Sequence, residues 1–142
     1  MTAAGAAGCG AAAGATARLQ LAAAYVPVPR VAGTTIAYVV IRNNGPADRL
    51  VAARTSVGGH VAFRVPAAAH SVAMRTVGSI GVRAHSTLAM APDTYQLLIT
   101  GAGPMPGGKA ITLTLVFAQA GPVSISTQVI NPESGGSSYF LN

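Results

Sequence analysis

Ile111-Thr112-Leu113-Thr114-Leu115-Val116-Phe117 places Ile111, Leu113, Leu115 and Phe117 at alternate positions, with Thr112 and Thr114 between them. Successive side chains of a β-strand point to opposite faces, so this run predicts a strand with one apolar face and one polar face. Ala120-Gly121-Pro122 turns the chain, and Val123 to Ile130 alternates again. A period of two held across a turn signals paired strands over a core.

The same signal extends towards the N-terminus. Thr34 to Arg42 is a β-branched and aromatic run, stopped by the turn residues Asn43-Asn44-Gly45-Pro46. Asp48 to Ser56, His60 to Val65, Val72 to Val77, Ile80 to Ala84, Ser86 to Met90 and Tyr95 to Thr100 read as further short strands. Val57-Gly58-Gly59 and Pro92-Asp93-Thr94 are turns, Pro66 to Ser71 is a small-residue loop, and Gly101 to Gly108 is a Gly/Pro loop. Residues 18–30 read as a first strand followed by a proline-rich edge segment, because proline lacks the N–H that a central ladder needs. No long helical period is present. The pattern predicts an all-β antiparallel sandwich or Greek-key barrel.

Two strands carry a further expectation. In the first, Val61, Phe63 and Val65 share a face and His60, Ala62 and Arg64 the other. In the second, Tyr95, Leu97 and Ile99 oppose Gln96 and Leu98. Parity therefore turns Arg64, Gln96 and Leu98 away from the apolar sets of their strands.

The length of 142 residues suits one domain. Residues 1–17 are low-complexity Ala/Gly and predict a disordered leader or tether; residues 18–130 form the domain, and 131–142 a flexible polar tail. No stretch reads as a membrane span, since alanine and glycine give little drive for insertion. The single cysteine, Cys9, excludes an internal disulfide. Ala6-Ala7-Gly8-Cys9 resembles a bacterial lipoprotein cleavage site, where the cysteine becomes lipidated and anchors the protein to a membrane. A lone thiol in a leader is the other reading, because no basic and apolar regions precede it.

Eight arginines and one lysine face only Asp48, Asp93 and Glu133, giving a net charge of +6. The arginines are dispersed and no aromatics interleave with them, so nucleic acid is not an expected partner. No nucleophile motif, phosphate-cradling glycine loop or zinc-spaced Cys/His cluster is present, and no enzyme is expected.

The chain resembles the bacterial extracytoplasmic PCuAC-type copper chaperones. The matching stretches are Ile36 to Gly45 with Ala47 to Val51, then Val72-Ala73-Met74-Arg75, then Pro92-Asp93-Thr94-Tyr95, then Leu113 to Phe117 with Ala120-Gly121. Their order and spacing carry the likeness. It implies a cupredoxin-like, immunoglobulin-like β-sandwich in the cell envelope or periplasm. Such a protein binds Cu(I) through histidine and methionine and passes it to the copper site of a respiratory oxidase.

The family's ligand pattern is a histidine, a methionine, and later a His-x-Met. The methionine position falls on Met74. With twenty-one residues between, the second histidine position falls on Gln96 and the last methionine position on Leu98. The first histidine position falls on Arg64. Three of the four ligands are thus changed. Thioether and imidazole suit soft Cu(I), whereas Leu offers no donor, Gln only a hard amide oxygen, and Arg a permanent positive charge. A rebuilt site would draw on Met74 with His70 or His60; His85, Met90 and Met105 are further thioether or imidazole groups, each better explained as packing or solvated surface. The alternative to copper is a metal-free β-sandwich lipoprotein that binds another protein through the face of Arg64.

Overall fold

The computed structural model describes residues 18–69 and 71–132. The Ala/Gly leader with Cys9, His70, and the tail from Glu133 lie outside the described residues. The strands in chain order are β1 (Leu19–Pro27), β2 (Thr35–Asn43), β3 (Asp48–Thr55), β4 (His60–Pro66), β5 (Met74–Val77), β6 (Ile80–Val82), β7 (Ser86–Ala89), β8 (Gln96–Thr100), β9 (Ala110–Phe117) and β10 (Gly121–Ile130). Among the described residues no helix is long and apolar enough to cross a membrane.

One hydrogen-bonded ladder runs β5-β4-β8-β2-β1-β10-β9-β3-β6, and β7 pairs with β2. The ladder doubles over into a sandwich that is nearly closed as a barrel, so the all-β expectation holds. β9 and β10 form the hairpin read from the sequence, with Leu113 opposite Ile125 and Phe117 opposite Gly121. Ile111, Leu113, Leu115 and Phe117 are all buried, as their alternation requires. From the other layer Val39, Ile41, Leu97 and Ile99 meet them in one core. Each such side chain, taken fully out of water, contributes roughly 1.5–3 kcal/mol.

β1 departs from the expectation of a proline-rich edge. It sits inside the ladder, with antiparallel β2 on one side and parallel β10 on the other. Its first half pairs with β2 from Leu19 to Ala22. The register then shifts before Tyr25, and Ala23 takes a positive φ of 51°. Val26 and Pro27 continue onto Val129 and Ile130 of the second layer. A bulge is how one strand turns a corner between packed sheets. Pro27 is tolerated there because it is the last residue of the strand, and the next residue supplies the donor: Val28 N–H bonds Ile130 O at 2.8 Å.

A polar corner fixes the turn after β2. Asn43 is 1% exposed, donates through Nδ2 to Pro46 O at 2.9 Å and Arg83 O at 3.0 Å, and accepts at Oδ1 from Gly45 N at 2.9 Å. A Cβ on Gly45 would run into the side chain of Arg18, which would have to move to admit a larger residue. Asp48 is 9% exposed; its Oδ1 accepts from Arg49 N at 2.7 Å and Gln119 N at 2.8 Å, and its Oδ2 from Ala120 N at 2.9 Å. The carboxylate thereby fastens β3 to the β9–β10 turn, with Arg18 Nη2 a further 3.9 Å away.

Candidate functional site

The register of β4, β5 and β8 decides which of the expected site residues meet. Arg64 lies directly opposite Gln96 on β8 and opposite Thr76 on β5. Ala62 is opposite Leu98, and Pro66 is opposite Met74. Residues opposed across an antiparallel pair project from the same face, with Cβ atoms ~4.5–5.5 Å apart, and diagonal neighbours lie at ~7–8 Å. Met74 and Leu98 are therefore the two diagonal neighbours of Arg64, and Gln96 its direct one. The four positions that the resemblance implied share one face, with Arg64 at their centre.

Their environments are unequal. Arg64, Met74 and Leu98 are half-buried. Gln96 is 6% exposed, although parity turned it away from the apolar set of its strand. The turn after β7 explains the burial: Gln96 Nε2 donates to Pro92 O at 2.8 Å. Its Oε1 is buried and has no hydrogen-bond partner. Leaving a buried amide acceptor unpaired costs roughly 1–3 kcal/mol. The Arg64 guanidinium, with five N–H donors, has no acceptor among the described residues.

The neighbouring strand extends the same face. Ile36 is opposite Leu98, and Tyr38 follows two positions along β2. Tyr38 stacks on Tyr25 with ring centroids 6.3 Å apart and planes at 14°. Burial raises the Tyr38 hydroxyl above its ordinary value of 10.0, and the neighbouring Tyr25 adds to the effect. This aromatic pair was not singled out from sequence; its one signal is that Tyr38 falls on the parity of Ile36 and Val40 rather than on that of Ala37, Val39 and Ile41.

The other candidates lie apart. His60 is exposed and shares the parity of Arg64, but it opens β4 whereas Met74 pairs with Pro66 at the strand's end. Six residues of strand separate those ends, roughly 20 Å. His85 is exposed at the polar corner, where its N–H bonds Gly45 O at 3.1 Å. Met90 and Met105 are 7% and 4% exposed and belong to the core. His70 lies outside the described residues. No group of three or more His, Cys, Asp or Glu side chains among the described residues is arranged to hold a metal.

The donor chemistry of this face does not fit Cu(I). Met74 offers a soft thioether, Leu98 nothing, and Gln96 an amide already oriented by Pro92. A cation placed among them would stand beside Arg64, and like charges at close range repel.

The LpqE-like family model, named for a lipoprotein, matches residues 19–129. Among solved structures, the chain is similar to the copper-bound PCuAC domain from PmoF2, at 24% identity and a TM-score of 0.69, covering 81% of this chain and 94% of that one. The apo PCuAC domain of PmoF2 matches at 26% identity and a TM-score of 0.67, covering 82% and 92%. The solution structure of Cu(I)-DR1885 from Deinococcus radiodurans matches at 23% identity and a TM-score of 0.59, covering 76% and 75%. No curated protein sequence matches. The PCuAC-type resemblance and the fold it implied are borne out.

Proposed function

Because the chain belongs to the LpqE-like family and carries the fold of PCuAC domains, we propose that it is a copper-chaperone-like protein of the cell envelope whose former metal face now serves as a docking surface. The observation that carries this reading is the convergence of Arg64, Met74, Gln96 and Leu98 on one face with a single soft donor among them. The scaffold keeps the place where a chaperone presents its cargo and replaces the means of holding it. In this reading residues 18–130 form the working domain, residues 1–17 a leader and tether with a lipidated Cys9 as the anchor, and residues 131–142 a tail. The role is one of binding, not catalysis.

A second reading is favoured by Met74, whose thioether remains half-exposed on that face. Here Met74 with His70 still carries Cu(I) and delivers it to a copper site such as that of a respiratory oxidase. The two readings separate in one experiment. The full chain with Cys9→Ser, which removes the competing thiolate, is titrated anaerobically against a chromogenic Cu(I) chelator. The docking reading expects no competition. One-to-one withdrawal of copper from the chelator, abolished by Met74→Leu with His70→Ala, would overturn it in favour of carriage.

A further inference from the structure

An acceptor without a donor and a donor without an acceptor stand on opposed residues. Gln96 Oε1 is buried and unpaired, and the side chain is fixed from behind by the bond from Nε2 to Pro92 O at 2.8 Å. Directly across the β4–β8 pair is Arg64, whose fork of N–H groups finds no acceptor among the described residues. A guanidinium can give one edge to an amide oxygen and keep another for a bidentate partner. Arg64 alone gains little by ordering its long side chain against a single neutral acceptor, since water solvates it well. A charged acceptor arriving at the outer edge changes that balance.

The charge around the site narrows the class of ligand. Only three acids occur in the chain, and the one ion pair among the described residues is Arg18 with Asp48, at the polar corner. Asp48 is occupied by three backbone N–H groups. Asp93 lines a cavity with Val65, Pro66 and Arg75 and makes no ion pair with Arg64. No carboxylate of the described residues competes for the guanidinium. Beside it, Leu98, Ala62 and Ile36 are half-buried and give an apolar shelf on the same face.

We propose that Arg64 and Gln96 form a carboxylate-recognition site, which takes an acidic side chain flanked by apolar residues on a partner protein. The inference rests on the docking reading above and names the chemistry of its partner. Arg64 receives the carboxylate in a bidentate pair. Gln96 is a positioning residue: its Oε1 accepts from the inner edge of the guanidinium, and Pro92 O holds the amide in the orientation that makes this possible. The leucine and alanine of the shelf take the apolar flank.

The test uses the full chain, isotope-labelled, and follows the Gln96 side-chain amide and the Arg64 Nε–H by NMR. The probe is the blocked tripeptide acetyl-Leu-Glu-Leu-amide; the controls are acetyl-Leu-Gln-Leu-amide and inorganic phosphate. The acidic peptide should shift both signals and saturate at roughly millimolar concentration, as a single charged anchor with two small apolar contacts would. The glutamine peptide should leave them in place. Arg64→Lys, which keeps the charge but loses the fork, should weaken binding about tenfold, and Gln96→Leu by a similar factor. Equal shifts from the glutamine peptide or from phosphate would overturn the assignment to a carboxylate. Unchanged binding in Arg64→Lys, or no shift at tens of millimolar peptide, would overturn the site. The docking reading fails on a different result: tight Cu(I) withdrawal in the chelator titration, whatever the peptide does.

Discussion

Two buried polar regions of this molecule face opposite fates. At the corner formed by Asn43 and Asp48, both carboxylate oxygens and both ends of the carboxamide find partners within the chain, and those partners come from the β2–β3 turn, β3, the β6–β7 connection and the β9–β10 turn. The one group left over is Arg18 Nε. On the β5-β4-β8 face, Gln96 falls between Asn43 and Asp48 in burial, yet its oxygen is unpaired and the guanidinium of the opposed Arg64 unclaimed. A polar group whose partners are all internal serves the fold. One that is held in place on one side and left empty on the other is fitted to something outside it.

The contrast can be broken by mutation. The largest effect is expected at Asp48. Asp48→Ala removes the acceptor of three part-buried backbone donors at once and releases the β9–β10 turn from β3, so urea unfolding should show a loss of about 2–4 kcal/mol. If Asp48→Ala costs under about 1 kcal/mol, the corner is not the structural clamp its hydrogen bonds describe. Gln96→Leu should behave oppositely. It removes the unpaired oxygen along with one hydrogen bond and keeps the volume, so stability should change by less than about 1 kcal/mol in either direction. A loss as large as that of Asp48→Ala would place Gln96 with the corner, as a residue kept for folding. The smallest effect belongs to Tyr38, whose hydroxyl titrates higher in the folded chain than unfolded. The folded state then holds its proton more tightly, so this contribution to stability is complete below pH 10 and is lost as pH rises through the folded value. Tyr38→Phe should flatten that alkaline fall in a series of unfolding curves, while leaving the curve at pH 7 almost unchanged.

Much of the fold could be read from residues alone, because alternation states which side of a strand is dry. Ile111 to Phe117 needed nothing else. The site was legible only in part, and for a physical reason. Parity assigns Arg64, Gln96 and Leu98 to faces, but it does not give the register that sets Arg64 against Gln96, nor the turn at Pro92 that buries the amide. A face shared with Arg64 likewise made His60 a candidate partner for Met74, but parity does not say that the two stand at opposite ends of β4. Proline chemistry suggested an edge at Tyr25 to Pro29; the bulge at Ala23, which no residue-level rule announces, carries the strand across both layers instead.

That crossing strand also sets a schedule. β1 completes its pairing only when β10, the last strand of the described residues, arrives alongside Val26 and Pro27. A ribosome delivers these two segments far apart in time, with some hundred residues synthesised between them. The sandwich cannot close on a partial chain, and its assembly belongs to the slow class of topologies, milliseconds to seconds, in which the most distant contacts come last.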